Sequence, residues 1–82
     1  MSDHYRPIDC NLHSQYELYI MHKELLRMAW LDEQGQEHID LLTPKDMSTE
    51  LGAEYMVCEN GHHLQMKIRL DRIVRATPMK EV

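Results

Sequence analysis

The sequence predicts a mainly β domain with one α-helix near its N-terminal end. Three observations predict it. Residues 63–70 alternate polar and apolar with a period of two, the mark of a strand with one buried face. Polar, glycine-bearing segments at 32–36 and 60–61 separate such runs, as hairpins require. Only Leu12, Tyr16, Tyr19 and Ile20 follow helical spacing.

Each element follows from local chemistry. Residues 1–10 read as an extended arm, because Pro7 fixes its own φ and pushes Arg6 towards extended geometry. Asp9 or Asn11 caps a helix over 11–22, whose apolar stripe packs on the sheet. Leu26, Met28 and Trp30 alternate with Arg27 and Ala29 in a first strand, and Trp30 reads as core. Gly35 is able to take positive φ in the turn at 32–36. In the next strand Ile39 and Leu41 lie on one side, His38 and Asp40 on the other; Leu42 follows, and Pro44 ends the strand or places it at an edge.

Residues 43–54 are polar and loop-like. Glu54–Glu59 forms a third strand, apolar on both faces, hence central or covered by the helix. Asn60-Gly61 is the strongest hairpin signal. The fourth strand turns Leu64, Met66, Ile68 and Leu70 inward and His63, Gln65, Lys67 and Arg69 outward. Asp71 and Arg72 make a tight turn, Ile73–Ala76 is a fifth strand closed by Pro78, and 79–82 are a tail. Five short antiparallel strands over 23–78 leave two arrangements. The sheet bends into a small, partly closed barrel, which hides its edges, or stays open with the helix on one face.

Length and composition narrow the function. A chain of 82 residues is one domain with a small core and little room for a deep catalytic pocket. It carries 14 acids against 9 lysines and arginines, a net charge of -5. Nucleic-acid binders of this size usually carry a basic excess, so an acidic domain more often meets a basic protein surface or simply stays soluble. The start, Met1-Ser2-Asp3-His4, has no basic segment before an apolar run, so no signal peptide is expected. No apolar run approaches membrane-spanning length. Cys10 and Cys58 are isolated, and free thiols in a reducing cytoplasm are a plainer reading than a bridge.

The charge is uneven. Residues 32–59 hold eight acids and one base, Lys45, while residues 60–82 hold five bases and two acids. Cross-strand pairing of these opposite charges is one outcome; an anionic surface for a basic partner is the other.

Chemistry-bearing patterns are few. His62 and His63 lie near Cys58, but neighbouring strand residues point to opposite faces, and His22 and His38 do not complete a ligand set. No nucleophile–base spacing and no glycine-rich phosphate loop is present. No metal, no cofactor and no enzymatic activity are therefore expected. Asp71 reads as a turn residue, Met28, Met56 and Met66 as core filler. Glu17, on the flank of the helix, reads either as a solvated acid or as one charge of a recognition surface that includes the arm.

Three stretches together carry a resemblance: Tyr5-x-Pro7-Ile8-x-Cys10, then Glu17-Leu18, then Arg69-Leu70-Asp71-Arg72-Ile73. The chain resembles the Rho-binding antiterminator (Rof-like) family over nearly its whole length. That resemblance implies a bacterial cytoplasmic protein, expected to act as a monomer, with an Sm-like barrel and an N-terminal helix. It implies binding to the transcription termination factor Rho at its RNA-loading domain, which blocks RNA access and inhibits Rho-dependent termination. Glu17 matches an acid of the family's helix region, and Asp9, Asn11, Ser14 and Tyr16 beside it complete the expected partner-binding set. Asn11, Leu12 and Ser14 stand where the family's pattern is richer in acids. Two rivals differ in class: an Sm-like RNA-binding module using Lys67, Arg69, Arg72 and Arg75, and a metal-dependent or thiol enzyme using Cys58 and the histidines.

Overall fold

The computed structural model describes residues 4–79; residues 1–3 of the expected arm and 80–82 of the expected tail lie outside them. Helix α1 spans Cys10–His22. It starts where Asp9 caps it, with the Asp9 carboxylate accepting the Asn11 N–H at 3.2 Å. Lys23 ends it in the left-handed conformation at φ 50°, and the N–H groups of Lys23 and Glu24 return to the Ile20 and Tyr19 carbonyls at 3.1 and 3.0 Å. Tyr16, Tyr19 and Ile20 face the sheet as their spacing predicts, but Leu12 is exposed. Tyr5 and Ile8 of the arm pack against the core near that end.

Five strands follow: β1 (Leu26–Leu31), β2 (Glu37–Glu50), β3 (Ala53–Glu59), β4 (Gln65–Arg69) and β5 (Ile73–Pro78). A single 3-10 turn, Leu70–Arg72, separates the last two. All ladders are antiparallel, in the order β4-β3-β2-β1-β5. The outermost strands, β4 and β5, share no ladder, so the sheet is open.

Residues 43–50, expected in a loop, are strand. β2 continues through Pro44 to Glu50 and changes partner on the way. Glu37 to Leu42 pair with β1, Thr43 to Glu50 with β3. Pro44 therefore has one neighbouring strand, and the ladder shifts register between Pro44 and Asp46. Those are the conditions under which a strand tolerates a missing N–H.

The turns differ from expectation in an instructive way. β2 and β3 are joined through Leu51 and Gly52, both at positive φ (51° and 81°), the geometry of a two-residue hairpin usually signalled by Asn-Gly. The Asn60-Gly61 pair instead begins a wider turn. The His63 N–H donates to the Asn60 carbonyl at 3.0 Å, and His63, not Gly61, takes the left-handed conformation at φ 63°. The Asn60 side chain accepts the N–H groups of His62 and Leu64 at 2.8 and 3.0 Å. Leu64 consequently belongs to the turn and is 63% exposed rather than inward. Asp32 and Gly35 build the same turn at the first hairpin, with Asp32 accepting from Gln34 and Gln36 at 2.9 Å each.

The core is Tyr16 on the helix with Leu26, Met28, Leu42, Met56, Cys58 and Ile68 on the sheet and Leu70 in the 3-10 turn. The register Met28↔Asp40 and Leu26↔Leu42 decides which leucine of β2 enters it. Leu42 is fully buried, whereas Leu41, opposite Arg27, is 42% exposed on the outer face with Ile39. Met66 and Trp30 are half-buried at the margin, Trp30 stacked on His38 with centroids 5.6 Å apart.

Candidate interaction surface

The helix separates the five expected partner-binding residues into two groups. Tyr16 is 3% exposed and belongs to the core; its position on the stripe with Tyr19 and Ile20 turns it away from any partner. Burial, and secondarily the neighbouring Tyr19, raises its phenol above the ordinary value. Asp9, Asn11, Ser14 and Glu17 are exposed. Asp9 is also committed to the helix cap.

The outer side of α1 presents Ser14, Glu17, Leu18 and Met21, spaced as one helical stripe, all exposed. Beside it lies a groove of about 300 Å³ lined by Glu17, Ile20 and Met21 of α1 and by Asp46 and Met47 of β2. This groove places an acid from the 32–59 segment next to the helix acid. Asp46 and Met47 were illegible in the sequence because they fall in the stretch read as a loop. A single apolar position, Met47, among Asp46, Ser48, Thr49 and Glu50 gives almost no alternation to detect.

Polar contacts tie the arm and helix to the sheet. His13 Nε2 lies 3.1 Å from Glu54 Oε2, and His13 Nδ1 lies 3.6 Å from Glu17 Oε1. The Tyr5 hydroxyl donates to Glu54 Oε1 at 3.4 Å. Partial burial, then the negative Glu54 and Asp71, raise the Tyr5 phenol against the opposing pull of Arg69. The Arg69 guanidinium lies 5.9 Å from the Tyr5 ring centroid. Asp71 does more than turn the chain. Its carboxylate accepts from Arg69 Nε and Nη2 at 2.6 and 3.0 Å, and from the Arg6 N–H at 2.9 Å.

Half of the acids in the 32–59 segment meet basic groups. Asp32 bonds His38 at 2.8 Å, Glu50 meets Lys67, Glu54 meets His13, and Glu59 lies 3.6 Å from both Lys45 and His63. Bonds from His38 and the Gln36 and Gln34 amides hold Asp32 below the ordinary carboxylate range, and the Lys67 bond does the same for Glu50. Glu33, Glu37, Asp40 and Asp46 have no cationic partner among the described residues.

The cations of the RNA-binding rival do not form one strip. Lys67, Arg69 and Arg72 line one pocket, but Arg75 lies apart from them on β5, at the other end of the strand order from β4. Cys10 and Cys58 are both free; burial pushes the Cys58 thiol up to about 12. No group of three or more His, Cys, Asp or Glu side chains among the described residues is placed to hold a metal, and no helix among them is long and apolar enough to cross a membrane. Comparison with known protein families, curated proteins and solved structures returns no match.

Proposed function

We propose that this protein inhibits Rho-dependent transcription termination in the bacterial cytoplasm, by occupying the RNA-loading domain of Rho and blocking RNA access. The observation that carries this reading is the pairing of Glu17 and Asp46 across one groove, with Leu18 and Met21 exposed beside it. Apolar anchors flanked by unlike charge suit a basic partner surface: the anchors supply lifetime, the acids speed encounter and set orientation. The helix followed by five antiparallel strands, with a long β2 shared between neighbours, supports an Sm-like scaffold behind that surface.

The test is a titration of purified Rho, read by binding and by loading of a labelled RNA. One molecule is expected to bind each RNA-loading domain, with affinity falling as salt rises. Glu17→Lys and Asp46→Lys are each expected to weaken binding by about tenfold or more while the fold is kept. RNA loading left untouched at saturating protein overturns the proposal. Wild-type affinity in both variants overturns the assignment of the surface.

A further inference from the structure

The open sheet leaves a seam between β4 and the far end of β1. Arg72 crosses it, donating from Nη1 to the Asp32 carbonyl at 2.6 Å. Beside that bond is a pocket of about 290 Å³ whose lining includes Trp30, Tyr55, Lys67, Arg69, Arg72 and Glu33. We infer that this seam binds a ribonucleoside phosphate.

The lining matches that ligand part by part. Trp30 and Tyr55 bring aromatic rings to the lining, on which a planar base can stack; His38, at an interplanar angle of 20°, covers one face of Trp30. Lys67, Arg69 and Arg72 concentrate three cations in one small space on a chain of net charge -5, which favours a phosphate. Asp71 orients Arg69 and the Asp32 carbonyl orients Arg72 Nη1, so both guanidiniums are fixed lining groups and Lys67 is the cation that moves onto the phosphate. Lys67 pairs with Glu50 at the surface, where both side chains are about half exposed; such a pair is weak, and its ammonium transfers readily to a ligand. Glu33 repels a bare anion but accepts hydrogen bonds from sugar hydroxyls. The mixture of rings, cations and a carboxylate therefore fits a ligand carrying base, sugar and phosphate better than phosphate alone. A free nucleotide and a nucleotide of single-stranded RNA carry this same chemistry. The inference is independent of the Rho reading, which uses the helix and β2.

Trp30 is the only tryptophan in the chain, so its fluorescence reports the seam directly. The full-length protein is titrated with adenosine monophosphate, uridine monophosphate, inorganic phosphate and a short oligoribonucleotide. Saturable change with a monophosphate is expected, half-complete below about 1 mM, with inorganic phosphate at least about tenfold weaker. Lys67→Gln and Arg72→Gln are each expected to raise the half-saturating concentration about fivefold or more with unchanged far-UV dichroism. Lys67→Gln decides the matter if Arg72→Gln disturbs the first hairpin. Tighter binding of the oligomer assigns the site to RNA; equal or weaker binding assigns it to the free nucleotide. The inference is overturned by the absence of saturable change up to about 10 mM, by unaltered binding in the folded variants, or by inorganic phosphate matching the nucleotide.

Discussion

Tyr16 and Glu17 are neighbours in sequence and belong to opposite worlds. The first is 3% exposed within the core, while the second has a side chain 59% exposed on the rim of a groove. A turn of about 100° along the helix separates them. The inner side of α1 fastens the helix to the sheet. The outer side, with Asp46 across the groove, carries the proposed recognition surface. Stability and recognition can therefore be altered one at a time.

The sharpest separation comes from the inner side. Tyr16→Ala is expected to lower unfolding free energy by about 3–5 kcal/mol in urea titrations, whichever partner the rim serves. A loss below about 1 kcal/mol breaks the comparison.

Next comes pH. The folded protein keeps the Cys58 proton to about pH 12, whereas the unfolded chain releases it near 9.0. The folded state binds the extra proton between these values, so stability is full below pH 9 and falls as pH rises, by up to about 1.4 kcal/mol per unit. Denaturant midpoints at pH 8 and 10.5 in the wild type and in Cys58→Ala measure the part this thiol contributes.

Asp71→Ala is expected to cost about 1–2 kcal/mol, because it removes the paired bonds to the Arg69 guanidinium and the bond to the Arg6 N–H together. Hydrogen exchange at Arg6 should quicken with it. Leu51→Asn, which suits left-handed backbone at an exposed turn, is expected to stabilise by about 0.5–1 kcal/mol. Glu17→Lys closes the series. Its stability is expected to stay within about 0.5 kcal/mol of wild type, while binding to Rho falls by about tenfold.

Much of the scaffold was legible because period and turn chemistry are local. Leu26, Met28, Ile68 and Leu70 read correctly as inward, and of the two cap candidates, Asp9 and Asn11, the fold uses Asp9. What failed depended on information the local pattern lacks. Nothing near Pro44 signals that its strand has lost one neighbour, so β2 looked finished at a residue it passes through. Leu51-Gly52 makes a hairpin on glycine alone, while the stronger signal at Asn60-Gly61 is spent on side-chain capping. Of the expected partner set, Glu17, Ser14, Asn11 and Asp9 are exposed. Tyr16 entered the expected partner set through its place beside Glu17, although its spacing specified the core where the fold buries it. Asp46 was missed with the strand that carries it.

The strand order has a consequence for synthesis. Three of the four ladders join strands adjacent in the chain and can zip soon after translation. The fourth joins β1 to β5, with Leu26 waiting for Pro78. Until the ribosome has released that last partner, the nascent protein carries an unguarded β1 flank beside freshly made apolar residues. This is the interval in which it is most open to sticking to another chain.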